Sequence, residues 1–267
     1  MGNRRTFDRI AIGGAGLLCL LVAILNNCLV TSAPYIAPGS VTLTNYEMAV
    51  FGGLLSASRI PFIALLPYLA SAIVPPVILG SYLSRQTGGY LYFTLIRIGD
   101  VVKWWRGIFL RSMCLIFMYA LIQMLVNAVV FFASGNALQL GNEHPVFMLL
   151  SLATFVLYMA AICSVQLHIQ IAHNHNPATI YLLIVALPIV SLGLSGVSTD
   201  ASIWFPGSYG MSYRIDVIRQ YISSSNELEL EAGWNSTVVF LMETALIASM
   251  YYLTVWKLKK GDGRFAL

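Results

Sequence analysis

The chain has 267 residues, of which 58% are hydrophobic and only 10% are charged, and its net charge is +4 at pH 7. Soluble globular domains carry roughly 25% charged residues, so this composition excludes that class. Several apolar stretches reach the roughly 20 residues that a helix needs to cross a bilayer. We therefore predict an all-α, polytopic membrane protein that forms one domain over residues 1–267.

Six apolar segments are predicted to be transmembrane helices. They cover residues 10–30, 60–83, 108–132, 146–169, 179–196 and 236–256. The second span contains four prolines, Pro61, Pro67, Pro75 and Pro76. These predict a kinked or broken helix, because proline has no amide hydrogen to donate. Such breaks survive in a bilayer only where other helices or water satisfy the freed backbone groups.

The distribution of Lys and Arg predicts the orientation, because cytoplasmic loops carry an excess of these residues. If the N-terminus is cytoplasmic, the inner segments hold twelve of the chain's 15 basic residues and the outer segments hold three. We therefore predict a multi-pass protein of the plasma or inner membrane with both termini in the cytoplasm. The positive charge is then an orientation signal and gives no reason to expect a nucleic-acid partner.

Two outer segments, residues 31–59 and 197–235, are long and contain aromatic residues such as Phe51 and Trp204. Tryptophan and tyrosine are favoured at membrane–water interfaces. We therefore predict that these segments form short helices that lie at the outer interface.

The inner segment 84–107 is the most informative, because it concentrates charge in an otherwise apolar chain. Its residues Arg97, Asp100, Lys103 and Arg106 recur every three positions, and three residues turn a helix by about 300°. One straight helix would not keep them on one face. A break at Gly99 resolves this, with an amphipathic elbow helix before it and Asp100 capping a new helix that runs into the third span.

The same segment contains two adjacent tryptophans, Trp104 and Trp105, which we expect to lie near the lipid headgroups. Two interpretations remain open. The elbow is either a docking surface for a partner protein, or an interfacial belt whose basic residues face anionic lipid and need no protein partner.

The stretch TGGYLYFTLIRIGDVVKWWRGIFLRS is similar to the coupling-helix segment of small permeases in Gram-positive bacteria. WFPGSYGMSYRID resembles the region before their last span. With six spans and cytoplasmic termini, the chain resembles the permease subunits of type 2 ABC exporters. This resemblance implies separate ABC ATPase subunits and a second permease, identical or related. It also implies that the ATPase docks on a set of elbow residues, Arg97, Asp100, Lys103, Trp104, Trp105 and Arg106.

The chain contains no GxxxxGK[ST] loop, so it has no P-loop to hold nucleotide phosphates. Under the exporter interpretation, no cofactor binds this chain, and ATP and Mg²⁺ bind the partner ATPase. The cargo that the resemblance implies is a peptide or a lipid-like amphiphile. This interpretation assigns no enzymatic activity to the chain itself.

Polar residues inside the spans are candidates for the translocation path. Glu243 is the only acidic residue well inside a predicted span, where burial costs roughly 3 kcal/mol on insertion scales. It should therefore face protein or a wet cavity, where it would sense protons or a cationic substrate, or bond to polar groups of another span. Gln123 and Asn127 either bond helix to helix or line a path.

Other polar motifs have weaker functional interpretations. His168, His173 and His175 lie at the inner end of the fourth span. No carboxylate or second cluster completes a metal site, so we predict no bound metal and consider His173 and His175 a second cytoplasmic contact. The GLSG sequence at 193–196 matches a rhomboid protease motif, but no histidine follows it.

Two other function classes remain as alternatives. A channel or secondary transporter would need no ATPase, and we expect it to show more than one deep ionisable residue or a repeat between its halves. An intramembrane enzyme would need a base to activate its nucleophile.

Overall fold

The computed structural model describes residues 14, 16–28, 43–51, 65–86, 100–135, 144–172, 186–187, 190, 209–211, 216 and 235–260. These residues form helices and turns, with no strand among them. We number the helices in chain order. They are α1 (Gly16–Cys28), α2 (Leu43–Phe51), α3 (Leu66–Gln86), α4 (Val101–Ala133), α5 (His144–Ala172) and α6 (Ser236–Lys260).

Four of these helices, α3 to α6, are long and apolar enough to cross a membrane, and α1 is a shorter apolar helix. They correspond to the second, third, fourth and sixth predicted spans, and α1 lies within the first. The predicted fifth span, 179–196, lies outside the described residues except for 186, 187 and 190, which are helical. The elbow helix before Gly99 also lies outside them.

The exposed face of α4 is apolar, unlike that of a helix in a soluble protein. Its exposed side chains are large and apolar, including Leu110, Leu125 and Val129. Its buried side chains include the polar groups of Gln123 and Asn127. A helix whose apolar face is outermost suits a lipid environment, in which polar side chains are satisfied by other helices.

The prolines of α3 do not break it. Pro75 and Pro76 lie inside one continuous helix, so of the two predicted outcomes, a kink or a break, a break does not occur at these positions. Because Pro75 has no amide hydrogen, the carbonyl of Ser71 loses its usual i+4 donor. The hydroxyl of Tyr119 on α4 donates to this carbonyl at 3.0 Å. A neighbouring helix thus satisfies the freed backbone group, as the bilayer requires.

The helix α2 lies in segment 31–59, for which short helices were predicted. It packs against other helices of the bundle through one buried face. Its buried residues are Leu43, Tyr46, Glu47, Val50 and Phe51, and it contacts α3, α4 and α5. The side chain of Asn26 also ties α1 to α2, because its amide donates to the carbonyl of Tyr46 at 2.9 Å.

One end of the bundle gathers the start of α4 and the ends of three other helices. Its buried cluster contains Trp104, Trp105, Ile108 and Phe109 of α4, Leu83 of α3, Leu167 and Ile171 of α5, and Leu258 of α6. Because α5 and α6 both end there, the end of α5 and the start of α6 lie at opposite ends of the bundle. The helix α4 runs antiparallel to α3, α5 and α6.

Candidate functional site

Asp100 is the N-cap residue of α4 and defines where the helix begins. Asp100 has extended backbone angles, and its carboxylate accepts hydrogen bonds from the backbone amides of Val102 at 2.8 Å and Lys103 at 3.2 Å. These bonds satisfy two of the amides that a helix start leaves free. The prediction that Asp100 caps a helix running into the third span is confirmed.

The charged side chains at this end are accessible. Asp100, Lys103 and Arg106 are all exposed, and we call these three residues the α4 tip. Arg97 is the fourth charged residue that was predicted to take part in coupling, and it lies outside the described residues. Exposed charges of both signs at the start of one helix suit an electrostatically complementary partner.

The two tryptophans at the start of α4 are buried. Trp104 is 4% exposed and Trp105 is fully buried. The Trp105 ring stacks on Tyr251 of α6 at 6.2 Å between centroids and contacts Phe109 at 5.6 Å. Both indoles thus pack between helices at the end of the bundle where α4 begins, and their predicted position near the headgroups stays a prediction.

A second group of candidates, Gln123 and Asn127, belongs to a buried hydrogen-bonded chain. The Gln123 amide donates to the Asn127 side-chain oxygen at 2.9 Å and to the Cys19 carbonyl of α1 at 3.2 Å. The Asn127 amide then donates to a carboxylate oxygen of Glu47 at 2.9 Å. The chain thus joins α1, α2 and α4 through side chains that are almost fully buried.

Glu47 was not among the residues predicted from the sequence, although it is only 1% exposed. A helical pattern would have found it, since Leu43, Glu47 and Val50 follow the i, i+4, i+7 spacing of one face. Its second carboxylate oxygen has no hydrogen-bond partner. Burial raises the pKa of Glu47 to about 8, against the lowering effect of the Asn127 hydrogen bond.

This raised pKa predicts how stability depends on pH. Above the ordinary value of 4.5, native Glu47 keeps a proton that the unfolded chain has released. Stability then falls as the pH rises from 4.5 towards 8 and levels off above that range. Since each pKa unit corresponds to about 1.4 kcal/mol, we expect a loss of a few kcal/mol. The Glu47→Gln variant should lose this component of the pH dependence.

The measurement is the melting temperature of the wild type and Glu47→Gln between pH 4.5 and 9, in one detergent. The melting temperature of Glu47→Gln should rise relative to that of the wild type as the pH increases. Parallel curves would contradict a raised pKa at Glu47.

Glu243, the third candidate, lies elsewhere in the bundle. It is 3% exposed, and neither carboxylate oxygen has a hydrogen-bond partner. Glu243 interacts electrostatically with Tyr68 of α3, Tyr158 of α5 and Tyr209. The expectation that Glu243 faces protein is confirmed, but bonding to polar groups of another span is not observed. Glu243 forms no hydrogen bond with Gln123 or Asn127, so the three predicted path residues do not form one connected group.

The histidines are described only in part. His168 lies on α5, and its Nδ1 is 2.9 Å from the hydroxyl of Thr254 on α6, so it joins two helices. His173 and His175 lie outside the described residues, as does the GLSG sequence at 193–196. Within the described part of the chain, no group of three His, Cys, Asp or Glu residues could hold a metal ion.

Comparisons with known proteins identify no relative of the chain. No family model, no curated protein and no solved structure matches it.

Proposed function

We propose that this chain is the transmembrane subunit of an ATP-driven ABC exporter, which moves a peptide or amphiphilic cargo with energy from a separate ATPase chain. In this proposal it works with a second permease, and ATP and Mg²⁺ bind the partner ATPase. The observation that carries the proposal is the α4 tip. It presents exposed charge at the capped start of a 33-residue helix, at one end of a bundle of apolar helices.

The packing beneath the α4 tip makes it a suitable lever. Trp105 lies between Lys103 and Arg106 in the sequence, and its side chain is fully buried. The cluster around it joins the first two turns of α4 to Leu83 of α3, Leu167 of α5 and Leu258 of α6. Because packed interiors transmit displacement and have low compressibility, a force on the tip would move four helices together.

The arrangement of α5 and α6 is compatible with the proposed topology. Both helices end at the Trp105 cluster, so the chain must return to the opposite end of the bundle between residues 172 and 235. A fifth crossing at 179–196 would provide this return. The same arrangement places the basic last turn of α6, with Lys257, Lys259 and Lys260, at the same end as the α4 tip.

Co-purification with an ATPase tests the proposal. The tagged chain is expressed with its neighbouring genes and purified, and the bound proteins are searched for a P-loop ATPase. We expect an ATPase with the wild type and an at least tenfold loss of it with the double variant Lys103→Glu/Arg106→Glu. Reversing both basic charges juxtaposes like charges with an acidic docking site and leaves the buried core unchanged.

The matched control is Lys259→Glu/Lys260→Glu, which reverses two exposed charges at the same end of the bundle. It should retain the ATPase. If no P-loop ATPase accompanies the wild type, or if both double variants lose it equally, the docking role of the α4 tip is wrong.

A second function is favoured by one observation, the pair of buried carboxyl groups. An ATP-independent secondary transporter was expected to show more than one deep ionisable residue, and Glu47 now joins Glu243. Buried acidic groups of this kind mark proton and ion pathways in transporters. Uptake driven by a pH gradient in ATP-free proteoliposomes, and abolished by Glu47→Gln, would favour this function over the exporter.

A further inference from the structure

Glu243 is one of few residues that α6 turns towards the bundle. Most of α6 is exposed, including Leu241, Met242 and Tyr252. Its buried residues are Val239, Glu243, Thr254 and Leu258. Glu243 thus places on this narrow inward face a buried carboxyl group with neither oxygen hydrogen-bonded, which is rare in folded proteins and requires a physical explanation.

Three tyrosines from three parts of the chain lie on the same side of α6 as this carboxyl group or next to it. The hydroxyl of Tyr209 donates to the sulfur of Met242, the neighbour of Glu243, at 3.8 Å. Gly210 then packs directly on Tyr68 of α3 and Tyr158 of α5. The Tyr68 hydroxyl is also buried and has no hydrogen-bond partner. The oxygens without a hydrogen-bond partner at this site are therefore the two of Glu243 and the hydroxyl of Tyr68.

The basic residues of α4 and α6 lie far from Glu243 along the bundle, and Arg85 lies in the last turn of α3, at the same end as the last turn of α6. Those on α4 lie within its first eleven residues, and those on α6 lie in its last turn. From Glu243 to Lys257 there are fourteen helical residues, or about 21 Å at 1.5 Å per residue. A carboxyl group in a low-dielectric interior is costly to ionise alone, so its ionised form favours a cation as partner.

We propose that Glu243, Tyr68, Tyr158 and Tyr209 bind an ammonium group of the transported cargo. This inference rests on the proposed function and narrows the cargo to a peptide or amphiphile that carries an amine. The carboxylate supplies the countercharge, and the tyrosine oxygens accept the remaining ammonium hydrogens. Tyrosine rings add cation–π attraction where the cation lies over a face. A neutral cargo of the same shape would gain none of these interactions.

Gly210 brings the segment Tyr209–Met211 into direct contact with two of the site's tyrosines. A Cβ atom at Gly210 would lie 2.6 Å from the Tyr68 hydroxyl oxygen and would overlap the Tyr158 ring. Only glycine permits this close packing, so the position of Gly210 holds Tyr209 beside Tyr68 and Tyr158.

Binding of a small amine tests the site without any ATPase. The purified chain in lipid nanodiscs is dialysed against radiolabelled n-hexylamine, and n-hexanol serves as the neutral probe of equal length. We expect saturable binding of the amine and none of the alcohol. Glu243→Gln should weaken amine binding at least tenfold, because it removes a charged hydrogen bond. Tyr68→Phe should weaken it about threefold, because it removes one hydrogen-bond acceptor.

Tyr252→Phe is the matched control, because it removes the hydroxyl of a tyrosine on α6 that is 68% exposed and leaves Glu243 and the three site tyrosines intact. It should bind the amine as the wild type does. A melting curve shows that Glu243→Gln is folded, and we expect it to be at least as stable as the wild type. Equal binding by wild type and Glu243→Gln, equal binding of hexylamine and hexanol, or no saturable binding would overturn the proposal.

The outcomes separate the site from the exporter function. An ATPase that co-purifies with a chain that binds no amine would leave the exporter standing and remove the ammonium site. Amine binding by a chain that recruits no ATPase would keep the site and assign it to an ATP-independent carrier.

Discussion

Replacing Trp105 with alanine should lower the free energy of unfolding by about 3–5 kcal/mol, the usual cost of removing a large buried aromatic side chain. Trp105 is fully buried, and its ring contacts Tyr251 and Phe109. The alanine would leave a cavity at the point where α4 meets the ends of α3, α5 and α6. The melting temperature in detergent should fall by roughly 10 °C, at about 2–4 °C per kcal/mol for a chain of this size.

Two further variants test whether this loss of stability comes from the burial of Trp105 and not from the loss of an indole ring alone. Trp256→Ala removes a tryptophan that is 52% exposed and should change the melting temperature by no more than about 2 °C, as surface changes usually do. Trp105→Phe should have an intermediate effect, because it keeps a ring and removes an indole N–H that has no hydrogen-bond partner. Equal losses for Trp105→Ala and Trp256→Ala would contradict the packing described for the α4 start.

Replacing Asn127 with leucine is the second change with a large expected effect. Asn127 accepts from Gln123 and donates to Glu47, so leucine leaves two buried groups without these partners. Each unsatisfied buried polar group costs about 1–3 kcal/mol, and a charged one costs more. We expect the free energy of unfolding to fall by about 3 kcal/mol or more, measured by chemical unfolding in mixed micelles.

The double variant Asn127→Leu/Glu47→Leu shows how much of this loss belongs to the pair. Removing both partners should recover part of the stability lost in Asn127→Leu, because no carboxyl group then remains buried without its donor. The double-mutant cycle should give a coupling energy of about 1–3 kcal/mol between the two residues. Strict additivity of the two substitutions would contradict the Asn127–Glu47 contact.

The features that the sequence predicted correctly depend on local chemistry. Asp100 caps α4 through amides only two and three residues away, so the spacing alone indicates the bond. The apolar lengths predict α3 to α6 as membrane-crossing helices for the same reason, since length and composition are local properties. Burial of Glu243 also follows directly from the cost of a carboxylate in lipid.

The features that it missed depend on contacts between distant residues. Glu47 meets Asn127, 80 positions further along the chain, and no local pattern specifies that partner. The continuity of α3 likewise depends on Tyr119, 48 positions from the carbonyl it satisfies. The prediction that Trp105 lies at the interface used only the general preference of indole rings for that region. Trp105 shares the buried face of α4 with Ser112 and Ile116, and this spacing indicates packing against other helices.

Site-specific photo-cross-linking at the α4 tip tests the central claim most directly. A photo-reactive residue replaces Lys103 in one protein and Leu110 in another, seven residues along and therefore on nearly the same side of the helix. Leu110 is exposed on the apolar part of α4, so it is the matched lipid-facing position. Both proteins are irradiated in native membranes, and the adducts are identified by mass spectrometry.

If an ATPase drives this chain through α4, position 103 forms an adduct with a P-loop ATPase, and position 110 forms adducts with lipid or with a second permease. If position 103 forms adducts with lipid alone, the α4 tip is an interfacial belt and the exporter function loses its support.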